Sequence, residues 1–218
     1  MAAIGTFYFP FGLISVITEG MTTTHACGIV APIPWALLAD ELPPVFSTTR
    51  ERRALGTFFM PRARVREISG IVEDTLQSTG WTSLQWRRVP VCFEGFDVER
   101  RQALPAILQV ATVAQKEIGR APLALDKVRL YLETHAARQQ ARGFAVVSLS
   151  TSTVIYKGLL SPAELPVFYP DLREPAFHAP FAVLHKKIGA AAALWSMAPP
   201  LHTLAHNGEL RHAVSNCA

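Results

Sequence analysis

A single cysteine, Cys27, stands in Met-Thr-Thr-Thr-His-Ala-Cys-Gly-Ile-Val-Ala-Pro-Ile-Pro-Trp, residues 21 to 35, behind small polar residues and ahead of an apolar run. Three chemistries suit that setting: a nucleophilic thiol, a lipid-bearing thiol, or a small buried side chain. Lipidation asks for an aliphatic residue three places upstream, where Thr24 stands, and no Lys or Arg precedes Arg50 to open a signal peptide. His202, His206 and His212 offer imidazoles near the end of the chain, without a cysteine or carboxylate cluster to complete a metal site. Asn207-Gly208 between them is a tight-turn signal. There is no Gly-rich phosphate loop, and no two cysteines have metal-ligand spacing.

Three cysteines, Cys27, Cys92 and Cys217, are too few for a disulfide framework and point to a reducing, cytoplasmic setting. Cys92, between Val91 and Phe93, reads as a buried small hydrophobe. The formal charge of +4 comes from scattered basic residues such as Arg50, Arg62 and Arg66 with acids interleaved, which describes a solvated face rather than a nucleic-acid stripe. Ile4 to Ile17 is uncharged and mostly apolar but short for a membrane span. No nucleic-acid or membrane partner is expected. With half of its 218 residues hydrophobic, the chain can bury a core of its own.

The elements that must position these residues are legible in part. Val65, Ile68, Ile71, Val72 and Leu76 recur at helical spacing and Gly80 ends the run. Asp126 is expected to cap a second helix reaching about Gln140, with Val128, Leu132 and Ala136 on one face. Ala106 to Ala114 has strand character, while Phe144 to Leu149 and Thr153 to Tyr156 read as a hairpin. Ser161-Pro162-Ala163-Glu164 is a capping box. Ala182 to His185 and Leu201 to Leu204 are later strands, and Pro32 to Pro44 is the one linker-like stretch. Trp81, Trp86 and Trp195 are expected in the core or at an interface. Mixed strands and helices without repeated βαβ units predict an α+β fold with antiparallel sheet.

The stretch from Gly143 to Leu172, GFAVVSLSTSTVIYKGLLSPAELPVFYPDL, resembles the N-terminal class II glutamine amidotransferase domain of the glutamate synthase large subunit. The resemblance continues through Phe181 to His185 and Leu204-Ala205-His206-Asn207-Gly208-Glu209-Leu210. Upstream it takes in Ile29 to Leu42, Gly56 to Pro61 and Gly80 to Val91, in the family's order. It implies an N-terminal-nucleophile hydrolase fold, an αββα sandwich of two antiparallel sheets between helix layers. It also implies removal of a pro-segment, here residues 1–26 where these are not simply a non-homologous N-terminus, so that the remaining partial domain, 27–218, begins with the cysteine that attacks the side-chain amide of L-glutamine, its own α-amino group serving as base. The products would be L-glutamate and ammonia, passed to a synthase domain whose FMN and iron–sulfur cluster belong to regions absent here; that domain or a small subunit would be the partner.

Residue by residue, His25-Ala26-Cys27-Gly28 is similar to the family's processing site, making Cys27 the nucleophile, and Asn207 with Gly208 match the oxyanion-hole pair. Lys187 stands where the family has an arginine that grips the substrate carboxylate, and a lysine cannot reproduce the planar bidentate fork. A second alignment sets Ala26-Cys27-Gly28-Ile29-Val30 against the family's Gly-Ala-Gly-Ile-Leu, which puts Cys27 at an alanine position with no catalytic task. The family's segment between nucleophile and Ile33-Pro34-Trp35 is missing, and the chain reads as a shortened, internally deleted copy. The alternative function is therefore a catalytically inactive remnant or interaction module.

Overall fold

Two strands with almost no exposed residue organise the chain in this computed structural model, which describes residues 3–9, 12–18, 26–42, 52–115, 121–139, 141–178, 181–185 and 195–198. In chain order the elements are β1 (Ala3–Phe9), β2 (Gly12–Thr18), β3 (Ala26–Pro32), β4 (Arg53–Met60), α1 (Val65–Ser78), β5 (Trp81–Arg88), α2 (Val98–Ala103), β6 (Ala106–Ala114), α3 (Ala121–Arg138), β7 (Ala145–Ser150), β8 (Thr153–Gly158), α4 (Glu164–Phe168) and β9 (Phe181–His185). Every residue of β6 is buried, and so is all of β4 beyond Arg53. Unbroken buried runs of this kind belong to strands covered on both faces.

β4 and β6 pair antiparallel from Arg53↔Val113 to Met60↔Ala106, and the sheet they centre has the order β5-β6-β4-β7. One face packs Phe58, Met60, Leu108 and Val110 against Ile68, Val72 and Leu76 of α1 and Leu125, Val128 and Leu132 of α3. The other face packs Leu55, Phe59, Ile107 and Val147 against a second antiparallel sheet of order β8-β3-β9. The result is mixed α+β with antiparallel sheets, as the alternation of patterns predicts. β1 and β2 pair as a separate two-stranded antiparallel sheet from Ala3↔Thr18 to Phe9↔Gly12. No helix among the described residues is long and apolar enough to cross a membrane.

Helix α1 follows its pattern: its buried positions Ile68, Val72, Thr75 and Leu76 lie on one face at three- and four-residue spacing, and Gly80 takes the left-handed φ of 87° that closes the end while its N–H donates to the Gln77 carbonyl. The capping box also forms, with the Ser161 N–H donating to Glu164 at 2.7 Å and the Glu164 N–H to the Ser161 hydroxyl at 3.3 Å. Helix α3 corrects the expectation for Asp126. It begins at Ala121, with Pro122 in its first turn where a missing N–H costs nothing, and Asp126 lies inside, paired with Arg129 at 3.5 Å.

The expected hairpin of 144–149 with 153–156 is also corrected. β7 joins β4 and β8 joins β3, so the turn between them carries the chain from one sheet to the other. Both strands are buried on both faces, so each needs its own sheet partner; a solvated hairpin would alternate. The Ser150 hydroxyl holds the turn by accepting from the Ser152 and Thr153 N–H groups. The linker-like stretch does not stand apart: Ile33, Leu38 and Leu42 are core residues. Trp81 and Trp195 are buried and Trp86 packs partly buried beside Phe58, while Cys92 is half-buried rather than buried. The expected strand 201–204 lies outside the described residues.

Candidate functional site

Cys27 is the second residue of β3, the middle strand of its sheet, opposite Gly158 of β8 on one side and Leu184 of β9 on the other. Register places its side chain on the face of Ile29 and Tyr156, toward the interior between the sheets, and it is 1 % exposed. The strand position opposite Cys27 is tightly packed: a Cβ on Gly158 would clash with the Trp195 ring, so only glycine lets the indole close over this end of β8. Burial pushes the Cys27 thiol far above its ordinary range, and the Glu164 carboxylate pushes in the same direction. A neutral, enclosed thiol is a weak nucleophile. Its backbone nitrogen is in the peptide bond to Ala26, whose own partner is His185.

Beneath that strand lies a polar cluster that no motif spacing announces. Arg87 on β5 is 4 % exposed and forms a bidentate pair with Asp171, at 2.7 and 2.8 Å. The same guanidinium donates to Gln109 on β6 at 3.0 Å, and its Nε lies 2.8 Å from Glu41 as an ion-pair contact rather than a directed hydrogen bond. Tyr156 on β8 donates to Asp171 at 2.6 Å, and Gln109 reaches back to Thr57 on β4 and to the Tyr156 hydroxyl. Burial works against the charge on Arg87, but Asp171 and Glu41 outweigh it and hold the guanidinium firmly protonated. Tyr156 is pushed well above the usual phenol range, by burial first and by the Asp171 charge second.

Tyr169 connects this cluster to the cysteine. It stacks edge-on with Tyr156 at 5.1 Å, and its hydroxyl donates to the Lys157 carbonyl at 2.8 Å, one residue before the partner of Cys27. Lys157 is itself 3 % exposed; its ammonium donates to the Ser196 carbonyl at 3.1 Å, and burial lowers its pKa to about 8 against a weaker pull upward from Glu133. Glu164 pairs with Arg100 at 2.9 Å, and the Arg100 guanidinium lies 4.0 Å above the Phe96 ring.

Of the residues singled out from sequence, Cys27 is thus placed at a strand head inside the core. Asn207, Gly208, Lys187 and the histidines 202, 206 and 212 lie outside the described residues. What sequence reasoning missed is the Arg87–Asp171–Tyr156–Gln109 cluster. Its signal was present: Arg87, Tyr156 and Asp171 each fall within a block that carries the resemblance described above, though 15 to 84 positions apart.

The family of class II glutamine amidotransferases matches residues 17–217. This chain belongs to that family. Within the class II amidotransferases it is similar to the large chain of the NADPH glutamate synthase of Azospirillum brasilense, 28 % identical over 209 residues that make up 93 % of this chain and 14 % of that protein. It is similar also to ferredoxin-dependent glutamate synthase 2 of Synechocystis sp., 31 % identical over 199 residues, 87 % of this chain and 12 % of that one. The NADPH glutamate synthase large chain of Bacillus subtilis is 27 % identical over 199 residues, 86 % of this chain and 13 % of its own length. The chain therefore spans about one eighth of the length of the curated relatives it matches. Among the described residues, no group of three or more His, Cys, Asp or Glu side chains gathers that could hold a metal ion.

Proposed function

We propose that this chain is a glutamine-hydrolysing domain of the glutamate synthase type, held silent while residues 1–26 remain attached. Its substrate is L-glutamine and its products are L-glutamate and ammonia. The observation that carries this reading is the place of Cys27: one residue into the central strand, so that a cut before it removes only Ala26 from β3 and leaves the register from Cys27 to Pro32 intact. Such a cut would give the thiol the neighbouring α-amine it lacks in the uncut chain, the base that an activated nucleophile requires. Asn207 and Gly208 would hold the oxyanion of the tetrahedral intermediate. Lys187 would meet the substrate carboxylate as a point charge rather than a fork.

The helix layer over the four-stranded sheet, with a second sheet on its other face, supports an αββα sandwich of the N-terminal-nucleophile type for the whole domain. Ammonia would pass to a synthase domain or subunit in the cytoplasm, where flavin and iron–sulfur chemistry reside on other parts of the assembly.

A specific observation favours a second reading. The thiol is enclosed among core side chains and its charged form is opposed by burial and by Glu164, as suits an alanine-like position in an inactive remnant or interaction module. Incubation with a glutamine-analogue electrophile, followed by peptide mapping, separates the two. An adduct on Cys27 of a chain that begins there supports the hydrolase; a chain beginning at Cys27 that forms no adduct supports the remnant.

A further inference from the structure

The buried cluster does more than fill space, because its members come from five separate segments and meet between the sheets. Thr57, Arg87 and Gln109 belong to the four-stranded sheet, Tyr156 to the strand beside β3, and Asp171 to the turn that follows α4. We propose that Asp171 and Tyr156 are positioning residues forming a polar lock, which docks the Cys27-bearing sheet onto the four-stranded sheet and keeps the thiol closed to reagents. The groups facing the Asp171 carboxylate are the guanidinium of Arg87 from β5 and the hydroxyl of Tyr156 from β8. Gln109 from β6 and Glu41 from the stretch after β3 complete the shell through Arg87.

The lock acts on Cys27 through β8. Tyr156 sits two residues before Gly158, the partner of Cys27, and Tyr169 pins the intervening Lys157 carbonyl. Neutralising Asp171 removes the bidentate partner of the buried Arg87 guanidinium and leaves it the ion-pair contact to the more exposed Glu41, a loss at the seam between the sheets. The cores on the far side of β4 and β6, against α1 and α3, contain no member of the cluster. A loss at the lock therefore falls on the seam, while the helix-covered face keeps its own packing.

This inference deepens the preceding reading by naming what guards Cys27. It is measured on the thiol without glutamine, so its failure is separable from failure of the glutaminase assignment. The full chain, its Asp171→Asn variant and its Tyr156→Phe variant are treated with iodoacetamide and mapped by mass, with half-buried Cys92 as the internal reference. Amide exchange is followed on the same samples. Asp171→Asn is expected to raise the Cys27 rate by about a hundredfold or more. The milder Tyr156→Phe, which deletes one hydroxyl and keeps the ring, is expected to raise it about tenfold. Exchange should quicken in β3 and β8 while β4 and β6 stay protected. Unchanged Cys27 labelling in both variants overturns the lock. So does a rise shared equally by Cys27 and Cys92 with protection lost from both sheets in Tyr156→Phe, since that describes general loosening.

Discussion

The two faces of the four-stranded sheet are built on different physics. The helix-covered face is held by area, packing apolar side chains of β4 and β6 against α1 and α3. The other face meets the β8-β3-β9 sheet, which carries Cys27 and Lys157, through an apolar core that also holds the hydrogen bonds and charges of Arg87, Asp171, Tyr156 and Gln109. Apolar burial is non-directional and tolerates substitution, whereas a buried ion pair is unforgiving when one partner goes. The seam that carries Cys27 thus adds to its apolar packing a set of attachments that a single substitution can undo.

That contrast can be broken in order of expected effect. Arg87→Ala strands the Asp171 carboxylate and should cost about 3–5 kcal/mol in a denaturant titration, whereas replacing both by apolar residues of similar size should recover most of it. If the double replacement is as unstable as the single, the ion pair is not the tie.

The second test is of Lys157, whose amine titrates near 8 when folded and near its ordinary 10.5 when unfolded. Between those values the unfolded chain binds more protons, so Lys157 makes stability rise with pH, by at most about 3 kcal/mol over the whole window. Cys27, Tyr156 and Tyr169 oppose this above their ordinary values of 9.0, 10.0 and 10.0, because burial keeps them protonated when folded. Lys157→Met should therefore flatten the slope between pH 8 and 9, measured by thermal melts in matched buffers; an unaltered slope would remove Lys157 from the account.

The smallest pair of effects differs in sign. Gly158→Ala drives a methyl into the Trp195 ring and should cost about 1–3 kcal/mol. Gly70→Ala, in the middle of α1 with nothing within 4 Å of the new Cβ, should stabilise by about 0.5–1 kcal/mol. Shifts of the same sign in melting temperature would erase the distinction between the packed seam and the open helix.

Much of the scaffold was legible because its signals are local. The four-residue spacing of Ile68, Val72 and Leu76, the glycine after it, and the reciprocal Ser161–Glu164 cap each involve neighbours in sequence. The change of sheet between β7 and β8 was not legible, since two apolar runs around a short turn carry no statement of which strand each will pair with. Asp126 misled because a good cap residue is equally at home in an ion pair one turn inside a helix. The lock could not be read for a different reason. Arg87, Tyr156 and Asp171 were each visible within shared blocks, but a bidentate contact across 84 positions is a property of the fold, not of spacing. Of the candidate site, Cys27 alone has a described place, and its burial could not be inferred from the small residues beside it.

The most direct test compares glutamine turnover and ammonia release by two purified proteins, the uncut chain and a chain whose first residue is Cys27, each checked by intact mass. Turnover by the chain beginning at Cys27, with none from the uncut chain or from Cys27→Ala, is the predicted result. Equal inactivity of both, with each folded and Asn207 and Gly208 unaltered, would contradict the hydrolase reading and leave Cys27 as a core residue of a silent domain.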